Sequence, residues 1–405
     1  MNIVKKPIRQ FPVALLAALF FAACSAPLRV VSPRNGSEVQ TLGQVKLEYL
    51  SMPRESRVRH FSDADYRKKM VTEGFYPVPT VLEWRRDPDA AFHGGSAMVS
   101  LVRDGEVSPV LVTNVPVTEA GGSVTIDNLE IARKYRWTAT ESETGYSVSG
   151  SFSTADLAPR LIRLPDVPNV RDLGGRKGLG GRRVRQGMVF RSAGLNENAR
   201  LEFFTSEELA KRAESAEKDD RPAWQRKIKK GTQGRNRLKE GSLRYALDTL
   251  GIKTDIDLRT PEECWGMEGS PLGPTVKWLN YSSAQYNTMD QPWGKRAFAN
   301  VFRVFMDEGN YPIVFHCIAG QDRTGAVAFI LNALLGVEED ELWRDWEMTG
   351  FWNPNLGFSH DKFKGLIDVF SRYPGNTMNE KVEAYVLSCG ITGDEIGKLR
   401  AILLE

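Results

Sequence analysis

Residues 316–325 read His-Cys-Ile-Ala-Gly-Gln-Asp-Arg-Thr-Gly, and this stretch decides the fold because it joins two apolar segments of different kinds. Residues 311–315 (Tyr-Pro-Ile-Val-Phe) have the β-branched and aromatic character of a short buried strand. Residues 326–335 are almost wholly apolar and are followed by Gly336, which is typical of the C-terminal end of a helix. The sequence therefore predicts a buried strand, a tight loop and a buried helix in succession.

The loop has the spacing of an anion-binding site, because five residues separate Cys317 from Arg323. Its backbone N–H groups can surround a tetrahedral oxyanion, and the start of the following helix favours negative charge. A thiol at such a helix start ionises more readily than a free thiol, whose pKa is about 8.5. Arg323 offers a planar fork for two phosphate oxygens, and Thr324 can hydrogen-bond the sulfur. These residues predict a phosphate-binding loop with a cysteine nucleophile.

This loop resembles the active-site signature of the Cys-based protein tyrosine phosphatase superfamily. It is most similar to the bacterial tyrosine/lipid phosphatase subgroup, in which Asp directly precedes the loop Arg. Two other segments resemble motifs of that subgroup, namely residues 169–175 (Asn-Val-Arg-Asp-Leu-Gly-Gly) with residues 190–194, and residues 256–259 (Ile-Asp-Leu-Arg). The resemblance covers residues 160–405 and implies an α/β domain with a central sheet flanked by helices.

The resemblance also implies residue roles. Cys317 forms a phosphocysteine intermediate, Arg323 clamps the phosphate and Asp322 is the general acid. The remaining phosphate-binding positions are Ile318, Ala319, Gly320, Gln321 and Thr324. The expected reaction is hydrolysis of a phosphomonoester, with a phosphotyrosine protein or peptide as the leading substrate and with no metal or other cofactor.

Three alternatives remain open at this point. Asp290 is a rival general acid, because it precedes the helix expected at residues 297–307. A phosphoinositide or inositol-phosphate phosphatase is another reading, but Gln321 stands where many such enzymes carry Lys. A catalytically silent phosphate-binding or interaction protein is the third.

Charged residues in the other two motifs have two readings of equal weight. Arg171-Asp172 and Asp257 with Arg259 belong either to the site or to a structural feature, which is an internal ion pair or a turn before Gly-Gly. His316 is expected to support the loop as a hydrogen-bonding partner, since a thiolate needs no base.

Length and charge set the broad class. A chain of 405 residues is too long for one typical domain, so two are expected. The formal net charge of +3 is close to balanced and does not imply a nucleic-acid partner.

The spacing of Cys264 and Cys389 does not match a metal site or a disulfide framework, so we expect both to be buried thiols. The alternative is that one of them forms a disulfide that protects Cys317. The oligomeric state is left open.

The first 24 residues are typical of a bacterial lipoprotein signal. Lys5, Lys6 and Arg9 precede an apolar run at residues 11–23, and small residues lead into Cys24. A lipidated Cys24 would anchor the mature chain to a membrane. The predicted location is therefore the bacterial cell envelope, with the outer membrane preferred.

Residues 26–155 differ in pattern from the rest. Short alternating stretches at residues 45–49, 97–102 and 135–140 are separated by polar turns, which predicts an all-β sandwich. Residues 129–154 resemble the closing strands of fibronectin type III-like domains. We expect this domain to space the catalytic domain from the membrane or to bind a partner, with residues 155–160 as the linker.

A basic insert at about residues 202–240 interrupts the second domain. It carries Arg226, Lys227, Lys229, Lys230, Arg235 and Arg237. A solvated loop is the first expectation, and recognition of anionic substrate groups is the alternative.

Overall fold

The computed structural model describes residues 26–198, 200–202, 230–232, 235–352 and 360–405. The predicted signal segment with Cys24 lies outside these residues, as do Arg226, Lys227 and Lys229 of the basic insert. The described chain is a multidomain α/β protein in which sheets and helices form several layers. In the described part, every helix is too short or too polar to cross a membrane.

The described residues form strands and helices with the following bounds. The strands are β1 (Leu28–Ser32), β2 (Ser37–Val39), β3 (Thr80–Arg86), β4 (Ser96–Arg103), β5 (Pro109–Pro116), β6 (Gly121–Ile126), β7 (Lys134–Glu141), β8 (Ser147–Thr154), β9 (Arg160–Leu161), β10 (Arg171–Asp172), β11 (Val189–Ser192), β12 (Arg200–Glu202), β13 (Lys230–Thr232), β14 (Thr254–Asp257), β15 (Lys277–Asn280) and β16 (Ile313–His316). The helices are α1 (Gln44–Ser51), α2 (Arg54–Ser62), α3 (Ala64–Glu73), α4 (Glu240–Arg244), α5 (Pro292–Val304), α6 (Asp322–Leu334), α7 (Glu339–Glu347), α8 (His360–Phe370), α9 (Met378–Ser388) and α10 (Gly393–Leu403).

Two sheets share one core in the N-terminal region. One has the order β1-β3-β6 and the other has the order β2-β8-β7-β4-β5. Trp84 from the first sheet and Trp137 from the second are buried in the same cluster, with ring centroids 6.2 Å apart. The alternating stretches at residues 97–102 and 135–140 lie in β4 and β7, so both strand predictions are confirmed.

The prediction of a strand at residues 45–49 was wrong, because these residues belong to helix α1. The buried side chains of α1 are Lys46, Tyr49 and Leu50. Their spacing of three and four residues places them on one face of a helix. Helices α2 and α3 follow directly, so the N-terminal region is not purely β.

These three helices pack against the second domain. Tyr49, Met70 and Phe75 are buried in the same apolar cluster as the helices and strands of residues 160–405. The Tyr49 ring meets Phe351 edge-on, with centroids 5.7 Å apart. Helices α1 and α3 therefore contribute to the core of the second domain, and α2 contacts it through the ion pair between Arg57 and Glu347.

A six-stranded sheet forms the centre of the second domain, in the order β15-β14-β16-β11-β10-β9. Strands β15, β14, β16 and β11 are parallel, with β15 at one edge of the sheet, while β10 and β9 join antiparallel at the other edge. Helices surround the sheet, as expected. The strand, loop and helix predicted around residues 316–325 are confirmed, since β16 ends at His316 and α6 begins at Asp322. The carboxyl ends of the central parallel strands therefore converge on this loop, which is where α/β sheets bind ligands.

The basic insert leaves and re-enters the domain at adjacent points. Its described ends, β12 and β13, pair antiparallel with each other. Arg235 makes an exposed ion pair with Glu197 at 3.2 Å, and the Arg237 guanidinium lies 3.5 Å from the Gly194 carbonyl oxygen.

Candidate active site

The turn between β16 and α6 depends on a glycine. Gly320 has a φ of 65°, a left-handed conformation that favours glycine. A Cβ atom at this position would lie 2.3 Å from the Ser192 carbonyl oxygen at the end of β11. The loop can therefore pack this closely against the sheet only with glycine at residue 320.

Cys317 follows β16 directly and is 3 % exposed, and its sulfur lies against Thr324 in the first turn of α6. Burial alone opposes ionisation of the thiol. The positive charge of Arg323 and the hydroxyl and backbone N–H of Thr324 outweigh burial, so the pKa of Cys317 is lowered. The predicted nucleophile, cation and hydroxyl are thus brought together around one sulfur atom.

Arg323 is held in place by a carboxylate that the sequence analysis did not identify. Its Nη1 donates to Glu263 Oε2 at 2.7 Å, and its Nη2 donates to Oε1 at 3.2 Å. Burial opposes the charge of Arg323, but the Cys317 sulfur and Glu263 outweigh it and raise the pKa of the guanidinium. The fork therefore stays charged and oriented beside the thiol.

Asp322 is the first residue of α6, and its Oδ1 accepts a hydrogen bond from the Tyr286 hydroxyl. Burial, followed by the charge of Asp322, raises the pKa of Tyr286. The phenol therefore remains a donor at neutral pH. Tyr286 was also missed from the sequence, although it lies four residues before Asp290.

Asp290 has other partners. It accepts from the Tyr373 hydroxyl at 2.5 Å and forms ion pairs with Arg372 at 3.2 Å and Lys295 at 3.4 Å. Burial favours its neutral form, but Tyr373 and Lys295 outweigh burial and lower the pKa of Asp290. A carboxylate held ionised in this way is a poor proton donor, which favours Asp322 as the acid.

Two side chains hold the loop from the sheet side. The Asn169 amide nitrogen donates to the carbonyl oxygens of Ala319 at 3.0 Å and Gly320 at 3.1 Å. Arg191 Nη2 donates to the same Gly320 oxygen at 2.6 Å. These bonds satisfy two carbonyl oxygens of the loop with donors from outside it, which supports the inward N–H groups expected of an anion site.

Asp345 on α7 fixes the arginines behind the loop. Its carboxylate contacts Arg171 at 3.1 Å and Arg176 at 3.0 Å, and it also accepts from Arg191. Burial disfavours the charge of Asp345, but Arg171, Arg191 and Arg176 together lower its pKa. Three buried guanidinium groups around one carboxylate leave positive charge behind the anion-binding loop.

The acidic residues of the two other motifs also form internal ion pairs. Asp172 contacts Arg160 at 3.0 Å, and Asp257 contacts Arg259 at 2.6 Å. The reading of these motifs as internal ion pairs is therefore the one that the contacts support. Both ion pairs lie within the domain interior, where all four side chains are buried.

His316 lies behind the loop as well. Its Nε2 is 3.1 Å from Asp255 Oδ1, and its Nδ1 is 3.2 Å from the Cys317 carbonyl oxygen. Burial favours the neutral ring, but Asp257 and Asp255 outweigh it and raise the pKa of His316. His316 therefore contacts the backbone of the loop, as expected of a supporting residue.

The other described cysteines differ from Cys317 in their ionisation. Cys264 Sγ donates to Asp257 Oδ2 at 3.2 Å, and burial together with Asp257 raises its pKa. Burial raises the pKa of Cys389 to about 11. All three are free thiols in the described structure, and the idea of a protective disulfide stays a hypothesis.

Two further loop positions differ in exposure. Ile318 is 38 % exposed, whereas Gln321 is 2 % exposed. An apolar side chain thus lies at the surface next to the nucleophile, and the position after Gly320 adds no charge.

Comparison with known proteins agrees with this geometry. A sequence model described as the tyrosine phosphatase family matches residues 162–209 and 232–405, which is more than half of the chain. A Cupriavidus necator protein named as an inferred tyrosine-protein phosphatase is 28 % identical over 202 residues, covering 44 % of this chain and 58 % of that protein. A tyrosine-protein phosphatase of Nostoc commune is 28 % identical over 141 residues, covering 27 % of this chain and 44 % of that protein. The chain thus spans about half the length of these curated relatives. On the strength of the family match, it belongs to the tyrosine phosphatase family.

Proposed function

We propose that this chain hydrolyses phosphomonoesters through a phosphocysteine intermediate on Cys317, with phosphotyrosine proteins or peptides as its substrates. The observation that carries the proposal is the buried Cys317 thiol, whose pKa is lowered by Arg323 and Thr324 at the start of α6. The names of the two relatives support the choice of phosphotyrosine.

The first step transfers the phosphoryl group to the protein. The Cys317 thiolate attacks phosphorus, an S–P bond forms and the bond from phosphorus to the leaving oxygen breaks. Asp322 gives its proton to that oxygen, so the alcohol leaves neutral. Arg323 and the backbone N–H groups of residues 318–324 stabilise the charge on the transferring group.

The second step releases phosphate. Water attacks the phosphocysteine and loses a proton to the Asp322 carboxylate, and the S–P bond breaks to return the thiolate. Thr324 lies against the sulfur and stabilises it as a leaving group. The residues of the chain are thereby restored to their starting protonation states.

Two features of the loop bear on the substrate. The exposed apolar side chain of Ile318 suits contact with an aromatic ring. Gln321 adds no cation, which disfavours highly phosphorylated lipids and inositol phosphates.

Phosphate release by residues 25–405 and by Cys317→Ser tests the proposal. We expect turnover of phosphotyrosine peptides that exceeds turnover of phosphoserine peptides, phosphoinositides and inositol phosphates, and no turnover by Cys317→Ser. The proposal would be contradicted if the chain binds inorganic phosphate but hydrolyses none of these substrates.

The location and the N-terminal region are part of the same proposal. We propose a lipid anchor at Cys24 in the cell envelope and a fibronectin type III-like identity for the two-sheet unit. The positive leader and apolar run before Cys24 support the anchor. Metabolic labelling with a fatty acid in the native host should label the protein, and Cys24→Ala should abolish the label. Equal labelling of both would rule out this anchor.

A further inference from the structure

Tyr286 lies in a backbone conformation that side chains rarely adopt. Its φ is 52°, and only four non-glycine residues among those described have positive φ. Another of the four, Asn169, also contacts the phosphate loop. Strained backbone of this kind is maintained where the surrounding structure fixes it, and it clusters at functional sites.

The turn that carries Tyr286 is held by its own side chains. Thr288 Oγ1 accepts from the Gln285 backbone N–H at 3.1 Å and donates to the Gln285 carbonyl oxygen at 2.6 Å. Helix α5 packs against the same turn, since a Cβ at Gly294 would lie 2.3 Å from the Thr288 carbonyl oxygen. The backbone of Tyr286 is therefore fixed relative to α5.

The ring of Tyr286 is held from the other side by α7 and α8. A Cβ at Gly365 on α8 would lie 3.7 Å from the Tyr286 Cβ, and the Trp346 indole of α7 lies near the Tyr286 hydroxyl. Trp346 in turn stacks on Phe363 at a centroid distance of 4.6 Å and covers Gly325, where a Cβ would be 2.9 Å from its ring. The hydroxyl is thus aimed by contacts that reach the first turn of α6.

This placement matters because Asp322 has two carboxylate oxygens, and only one at a time can carry the proton. Tyr286 donates to Oδ1 and thereby leaves Oδ2 as the oxygen that can be protonated. The next residue, Arg323, donates hydrogen bonds to Glu263 and not to Asp322, so the two charged neighbours have separate partners.

We propose that Tyr286 is a positioning residue that fixes Asp322 Oδ1, so that the proton on Oδ2 faces the leaving oxygen. The inference rests on the proposed function. Tyr286 neither gains nor loses a proton in the cycle: it donates the same hydrogen bond to Oδ1 when Asp322 is protonated and when it is ionised.

Leaving-group dependence tests this role. Tyr286→Phe keeps the ring and removes the hydroxyl. We expect it to lower kcat on an alkyl phosphate about tenfold to a hundredfold, a part of the roughly 10²–10⁴-fold that a general acid supplies. Turnover of an aryl phosphate with a strongly acidic phenol should change little, because that leaving group needs no proton.

A matched control removes an equivalent bond to the rival aspartate. Tyr373→Phe deletes the phenol that donates to Asp290. We expect the same leaving-group dependence as in the unaltered chain. The inference would be overturned if Tyr373→Phe lost turnover only with poor leaving groups and Tyr286→Phe had no effect.

A double variant separates positioning from general stability. Because Tyr286 acts through Asp322, adding Tyr286→Phe to Asp322→Asn should cause no further loss on the alkyl phosphate. A full additional loss, or an equal loss on both substrates, would show a merely structural role. Asp322→Glu keeps the acid but moves it relative to Tyr286, so it should show the same selective loss on the alkyl phosphate. This variant tests the inference even if Tyr286→Phe does not fold. Full activity of Asp322→Glu on the alkyl phosphate would overturn the inference. Lack of turnover of both the aryl and the alkyl phosphate by the unaltered chain would instead contradict the proposed function.

Discussion

Glu263 accepts two hydrogen bonds from the Arg323 guanidinium, at 2.7 and 3.2 Å. The contact is end-on, through Nη1 and Nη2. It leaves other N–H groups of Arg323 for a phosphate. Glu263 therefore orients the guanidinium of Arg323, although it comes from a segment 60 residues earlier in the chain.

Removal of Glu263 should weaken the use of substrate. Glu263→Ala frees the guanidinium to rotate, and we expect kcat/KM on an aryl phosphate to fall about tenfold, which corresponds to about 1.4 kcal/mol. Steady-state kinetics measure the change. Glu268→Ala is the matched control, since Glu268 is an exposed glutamate in the same segment. Equal values for Glu263→Ala and the unaltered chain would show that Arg323 needs no such support.

The pH dependence of Cys317 alkylation should report its lowered pKa. As the pH rises, we expect the rate of reaction with iodoacetamide to reach its plateau at a lower pH than for a free thiol, whose pKa is about 8.5. Arg323→Met removes the largest influence that lowers the pKa of Cys317, so its profile should move to higher pH. Cys389→Ala should leave the profile unchanged, because burial holds the pKa of Cys389 at about 11. A Cys317 profile that is insensitive to Arg323→Met would contradict the ionisation described here.

Loss of the Asp345 charge should destabilise the domain. Asp345→Asn leaves three buried guanidinium groups without their carboxylate, and breaking such a buried pair costs about 3–5 kcal/mol. Chemical denaturation measures the difference in unfolding free energy. Asp368→Asn is the control, because its exposed pair with Lys364 contributes only about 0–1 kcal/mol.

The sign of the pH effect follows from the direction of the shift. The folded-state pKa of Asp345 is below its unfolded value of about 3.9. The stabilisation is therefore fully present above about pH 3.9 and is lost as the pH falls toward the folded-state pKa. The difference between the unaltered chain and Asp345→Asn should narrow below about pH 4. A difference that grew on acidification would refute this assignment.

The N-terminal helices should stabilise the catalytic domain. Arg57 of α2 donates to Glu347 at 2.7 Å, and both side chains are fully buried. Residues 160–405 alone would lack the ion pair between Arg57 and Glu347 and the ring contact between Tyr49 and Phe351. We expect this fragment to unfold at a lower temperature than residues 26–405, as scanning calorimetry would record. Equal unfolding temperatures would support the simpler view of the N-terminal region as a spacer.

The strand, loop and helix around Cys317 could be predicted because their signals are local. The apolar character changes on either side of a short motif, and the spacing of Cys317 and Arg323 is itself the signal. Helix α1 could not be predicted in this way. Residues 45–49 alternate like a strand, and its helical face is buried by contacts with Phe351, far away in the sequence. Tertiary packing therefore outweighs the local pattern.

The residues missed at the site share one property. Glu263, Tyr286 and Asp345 each act as a single side chain from a separate segment, and each contacts its partner only in the folded chain. No periodicity marks such positions. Asp322 and Asp290 were both identified, but only the hydrogen-bond partners of each distinguish them.

Direct capture of the phosphorylated intermediate tests the central claim. Residues 25–405 are mixed with a phosphotyrosine peptide and quenched within the first turnover, and peptide mass spectrometry locates the phosphoryl group. We predict a phosphoryl group on Cys317 that is absent from Cys317→Ser. Turnover without any label on Cys317, or with the label retained in Cys317→Ser, would contradict the account.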